Sequence, residues 1–341
     1  MTEIDLLKRV RDDVPDPDRL ALARARQQLF NPPAALPPLR RTRPRLVLAG
    51  ALAVTLAGGF LAADVITRDN AVQLGATADA STFLATAAAR TGPDAPIPPG
   101  HFREIVRHTV FTETFVTNPT YQVTLFGRSE KWIPAAPARR YVQRQTKVSK
   151  VEFPTPAARA AAQKVAPYLL KTTKPTVDLS RCGEAAGGRC TPSWVTPTPE
   201  FLAKLPRDPN ALLTALLADT TALGRPSPPN LRAFLHLSAV LNSGLVPADL
   251  RAALYQAAAK IPGIQLEKNV VTLDGRTGRA ISLTETDLRH DIVISDAGEY
   301  IGERTVVVNG PGRHLPGFHT GDIVDSMSVT TRITATQPAV K

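Results

Sequence analysis

Residues 46–63 (LVLAGALAVTLAGGFLAA) run for 18 positions without a charged side chain, and Arg40, Arg41, Arg43 and Arg45 stand just before them. As a helix rising ~1.5 Å per residue the run spans about 27 Å, close to the ~30 Å hydrocarbon thickness of a bilayer. It is apolar all round, whereas a core helix keeps a polar face, and Thr55 can return its hydroxyl bond to the preceding turn. Forty-five residues precede it, too many for the short basic head of a signal peptide, and no Cys follows closely for lipidation of a mature N-terminus. With Val65 and Ile66 adding apolar length past Asp64, the segment 46–66 reads as one uncleaved transmembrane helix. A buried core helix and a signal cleaved at Ala63 are the alternatives.

Orientation follows from charge. Residues 1–45 hold ten Lys or Arg against six Asp or Glu, while the far flank offers only Arg68 against Asp64 and Asp69. Basic residues near a span stay in the cytoplasm, so Arg40, Arg41, Arg43 and Arg45 determine the topology. A cytoplasmic N-terminus and an extracytoplasmic C-terminal domain at the cell membrane are expected. The two cysteines, Cys182 and Cys190, fall on the outer side in RCGEAAGGRC. They read as a disulfide closing a short polar loop; two free thiols or half a zinc site are the alternatives, though zinc would want two further ligands nearby.

Four regions are predicted: a cytoplasmic juxtamembrane tail over 1–45, the span over 46–66, a helix with a Pro-rich linker over 67–100, and an extracytoplasmic α+β domain over 101–341. The 31 prolines, nearly double the usual ~5%, gather at linkers and loop ends. In the tail, Pro15 and Pro17 separate two short helical stretches, and residues 31–38 (NPPAALPP) form a stiff tether. Such a tail binds a partner or merely satisfies topology.

Ala-rich residues 78–90 predict a helix. Three alternating runs at 101–116, 121–133 and 140–153 predict antiparallel strands with one wet face. Helices are predicted over 155–170, 198–205, 208–219, 230–242 and 247–260, several opened by Thr-Pro or Asp-Pro. Strands return at 264–273 and 279–284 around DGRTG, at 290–295 and 299–308 around Asp-Ala-Gly, and at 322–335. Strands, helices, then strands joined by hairpins indicate an α+β class.

Catalytic spacing is missing: no G-x-S-x-G, H-E-x-x-H, Walker loop or strand-linked G-x-G-x-x-G occurs. His314 and His319, near Asp322 in GRHLPGFHTGD, are one loose metal candidate, with polar loop histidines as the plainer reading. His108 and His236 read as structural or surface residues. Arg139, Arg140, Arg144, Lys147 and Lys150, with Tyr141, form a basic run. Aromatics are only 5% and no reader motif accompanies the run, so a solvated face or attraction to anionic envelope material is expected rather than nucleic-acid binding. The overall +11 charge fits the same view.

Several phrases carry a resemblance: DLLKRVRDDVPDPD, the Arg-flanked span, LPRDPNALLTALL, LRAALYQAAAKIPGIQLEKNVVTLDGRTGRAISL and DLRHDIVISDAGEYIGER. Together they resemble an uncharacterised actinobacterial family of single-pass membrane proteins over nearly the whole chain. By element order the outer module is similar to lipoprotein-carrier-like half-barrels, which implies a curved antiparallel sheet covered by helices. The plan is also similar to membrane anti-sigma regulators, but the first 100 residues contain no His or Cys, so a zinc-bearing activity does not carry over. The expected function is a non-enzymatic, membrane-anchored sensor or binding protein of the cell envelope, without cofactor, whose partners are the membrane and an envelope ligand or a cytoplasmic protein. A carrier of lipid or other apolar ligands and an envelope hydrolase are the alternatives.

Overall fold

Hairpin turns and β-branched alternation dominate both ends of the domain, and in the computed structural model the two sets of strands merge into one sheet. The structure describes residues 75–115, 120–135, 141–180, 191–219, 227–310 and 317–340. The expected span at 46–66, Arg40, Arg41, Arg43, Arg45, Arg139, Arg140, Cys182, Cys190 and His314 lie outside them. Among the described residues no helix is long and apolar enough to cross a membrane.

The chain opens with helix α1 (Ala78–Arg90), then runs through β1 (Phe102–Phe115), β2 (Tyr121–Pro134) and β3 (Tyr141–Glu152). Helix α2 (Pro156–Val165), a 3-10 turn (Pro167–Leu170) and β4 (Thr176–Ser180) follow. Next come α3 (Pro199–Lys204), α4 (Pro209–Ala218), α5 (Pro229–Asn242) and α6 (Ala248–Ala258). The chain then returns through β5 (Gln265–Val271), β6 (Thr277–Glu285), β7 (Leu288–Ile294), β8 (Tyr300–Val307) and β9 (Ile323–Thr334). The sheet order is β4-β3-β2-β1-β9-β8-β7-β6-β5, and every neighbouring pair is antiparallel. The predicted α+β class is therefore correct.

Local signals explain the helix boundaries. Thr155, Thr198 and Asp208 cap α2, α3 and α4, each accepting a backbone N–H through its side chain, with Pro in the opening turn. The single helix expected over 155–170 divides at Ala166, whose φ of −144° leaves the helical region. Pro167 is the cause, because its ring disfavours the helical conformation in the residue before it. The short strand β4 was not expected.

One face of the β5–β8 half carries the main core, where Ile281, Leu283, Ile292 and Ile294 meet Phe234 and Leu237 of α5 and Leu250 and Leu254 of α6. Phe83 and Leu84 of α1 are buried in the same core. At the other end Ala162 and Leu169 pack on Phe115, Val123 and Leu125. His236 is fully buried in the main core, its ring 6.4 Å from that of Trp194 and both ring nitrogens without a hydrogen-bond partner among the described residues.

The opposite face holds a smaller apolar cluster of Val270, Ala280, Val293 and Ile301 and also buried carboxylates under arginines. Glu130 takes Arg144 through Nε and Nη2 and Arg128 at 2.8 Å, and Glu104 takes Arg332. Asp291 lies between Arg289, at 2.8 and 3.1 Å, and Arg304, at 2.8 Å. Burial works to raise the Glu130 carboxyl, but its two arginine bonds outweigh it and hold the group below the usual range.

Candidate functional site

The sheet has a notch. β9 pairs with β1 as far as Thr334 opposite Phe102, yet β8 stays beside β9 only to Gly302 opposite Ser328. Beyond Ser328, β9 has a strand neighbour on the β1 side alone. A cleft of about 600 Å³ occupies the gap. Its walls come from the end of α1 and the following loop (Arg90, Asp94), the start of β1 (Arg103), α6 (Arg251), the β5–β6 turn (Arg276) and Arg332 of β9. Two glycines shape the rim: Gly298 (φ +79°) has Ala87 O where a Cβ would stand, at 2.5 Å, and Gly244 (φ +69°) has Ile105 at 2.8 Å.

Three of the five cleft arginines are neutralised: Arg251 pairs with Asp94 at 3.3 Å, Arg276 with Asp274 at 2.7 Å, and Arg332 with Glu104. Among the described residues Arg90 donates to the Asp296 carbonyl alone, at 2.9 Å. Arg103 has no hydrogen-bond or ion-pair partner among the described residues. Alternation along β1 places Arg103, Ile105 and Arg107 on one face. Lys131 of β2 stands opposite Ile105, so both arginines are its diagonal neighbours, within reach of long side chains. Among the described residues none of the three cations forms an ion pair with a carboxylate, and of the three Arg103 alone lines the cleft.

Arg107 is committed to the fold. It donates to the carbonyls of Asn242, at 2.8 and 2.6 Å, and Ser243, at 2.8 Å, satisfying the C-terminal end of α5. Burial lowers its pKa, opposed by Tyr300, Tyr141 and Glu303. Glu303, on the same side of the sheet, accepts from Ser238 Oγ, from Tyr300 Oη at 3.0 Å and from Asn242 Nδ2 at 3.3 Å. Burial first, then Glu303, drives the Tyr300 hydroxyl well above its ordinary range. Burial and then Glu303 also raise Asp325 to about 6.

Lys131 is the most affected cation. It keeps some contact with solvent while protein atoms enclose most of it, and its Nζ lies 5.3 Å from the Tyr141 ring centre. Burial, then the Arg107 charge, lowers it to about 7. Arg103 and Lys131, part-exposed cations set side by side without a counter-ion among the described residues, have the chemistry to suit a carboxylate or phosphate. An anion seated here restores the Lys131 proton, so binding takes up protons above pH 7 and affinity falls as pH rises. The expected slope approaches tenfold per pH unit between about 7 and 9, and Lys131→Arg flattens it. Calorimetric titration with a multivalent carboxylate at several pH values checks both.

The residues singled out from sequence are only partly involved. Arg144 and Lys150 are paired, with Glu130 and Glu152, on the face away from the cleft, and Tyr141 supports Lys131. His319 is 81% exposed and lies 3.6 Å from Asp322. Among the described residues no group of three or more metal-type side chains gathers. His108 meets Arg128 at 3.2 Å. Sequence reading missed Arg90, Arg103, Arg107 and Lys131; the one available signal was Arg103 and Arg107 at an even spacing in FREIVRH.

No family model matches the chain, and no curated protein or solved structure is detectably similar to it.

Proposed function

We propose that this chain is a membrane-anchored, extracytoplasmic sensor or binding protein of the cell envelope, non-enzymatic, whose α+β domain takes an anionic ligand at the cleft. One observation carries the reading: Arg103, which lines the cleft, and Lys131, its diagonal neighbour on the same face, are partly enclosed and pair with no carboxylate among the described residues. Leaving cations half-desolvated and unpaired costs stability, and binding an anion recovers it. The anchor rests on the apolar run at 46–63 and its arginine collar. A curved, half-barrel sheet is consistent with the helices lying on one face. The charged cleft walls suit an acyl chain poorly, which weighs against the carrier alternative.

A reporter fused after Lys341 is expected to be removed by protease added to intact cells, while a reporter before Met1 survives. Shielding of the C-terminal reporter defeats the proposed placement. Failure of di- and tricarboxylates, phosphates and acidic peptides alike to bind the purified full chain in detergent defeats the anion reading.

A further inference from the structure

We infer that the notch beside β9 holds an extended acidic peptide as an added strand; this rests on the anion reading above and names the ligand class. Val329 turns its carbonyl into the notch, where Arg276 Nη2 donates to it at 2.5 Å. In an antiparallel strand the N–H and C=O of one residue point the same way and those of the next point oppositely. Thr331 and Ile333 therefore also turn their backbone groups toward the notch, while Thr330, Arg332 and Thr334 face β1.

Of the two residues that turn to the notch, Thr331 is exposed and Ile333 half-buried, and neither is paired with β8, so this edge is unpaired in the middle of a nine-stranded sheet. An open edge is a template for a strand. Arg276 closes its inner end, which leaves Thr331 and Ile333 as the pairing stations. The cleft's volume of about 600 Å³ gives a few residues of extended chain room there. Arg103 and Arg90, the cleft cations that no carboxylate pairs, select acidic side chains on that strand.

The test uses the purified full chain in detergent and a dye-labelled hexapeptide, Thr-Glu-Val-Glu-Val-Thr, read by fluorescence anisotropy. Two analogues carry N-methyl groups on alternate amides, one set per strand edge. Binding of the parent peptide is expected, with one analogue at least about tenfold weaker and the other near parity, since only one edge meets β9. Thr331→Pro is expected to weaken binding about tenfold with the melting temperature held, because its N–H faces away from β1 and an edge strand tolerates proline there. Arg103→Glu weakens the acidic peptide and spares a lysine-substituted one.

Should Thr331→Pro fail to fold, the methylated pair still decides. Equal binding by the parent and both analogues, matched by free glutarate and inorganic phosphate, overturns the strand and leaves the anion reading. Binding by the small anions with none by the peptide does the same. No binding by any probe overturns both.

Discussion

Asp291→Ala is expected to destabilise the domain by about 3–5 kcal/mol, the range for removing one partner of a buried ion pair. The Asp291 side chain has no solvent contact, and Arg289 and Arg304 are only 19% and 21% exposed. Three charged hydrogen bonds end on its two oxygens. Alanine leaves two guanidinium groups facing each other on adjacent strands, where they repel and cannot rehydrate fully. Arg289 keeps Glu267 at 3.2 Å, so Arg304 is the group left unanswered. At roughly 2–4 °C per kcal/mol for a domain of this size, the melting temperature falls by about 10 °C. Replacing Asp291, Arg289 and Arg304 together by apolar residues of similar volume costs less than the single change, because no charge is then stranded. Urea unfolding of the three proteins checks the ranking; a single mutant within 1 kcal/mol of the parent, near the value of an exposed pair, contradicts it.

Charge reversal at Arg103 and Lys131 together is expected to weaken anion binding by at least about a hundredfold while leaving stability unchanged or raised. Each charge-assisted contact contributes about 1.5–3 kcal/mol, and two lost contacts exceed two decades in affinity. Stability holds because Arg103 has no hydrogen-bond or ion-pair partner among the described residues, and a glutamate at 131 gains Arg107 in place of the Tyr141 ring. Arg107→Ala is the contrast: it weakens binding and also lowers the melting temperature, since three bonds to the last carbonyls of α5 vanish with it. Calorimetry with a tricarboxylate, paired with thermal unfolding of the same samples, separates the two. A double reversal that binds normally removes the cation cluster from the function.

Element identity was legible to within a few residues where local chemistry decides it. α3 and α4 begin at the Thr-Pro and Asp-Pro signals, and β6–β7 and β7–β8 follow their alternating runs. β4 was missed because a five-residue strand paired on one side carries too little pattern to stand out. The helix α1 is legible from its Ala-rich run, but an Ala-rich helix looks alike in a spacer and in a core, and its contact with α6 and the sheet is what places it.

The site was illegible for a different reason. Arg144 and Arg103 have the same side chain on similar strands, but Glu130 neutralises the first while no described residue neutralises the second. Cross-strand register determines which charges meet, and no single strand contains that information. The composition, the α+β class, the helix caps and hairpins, and the apolar run with its collar follow from the order of residues, because they depend on neighbours within a few positions. The joining of two sheets through β1 and β9, the notch where β8 departs, and the enclosure that brings Lys131 to about 7 arise only when distant segments pack. Burial and the absence of a counter-ion are properties of that packing, not of any segment within it.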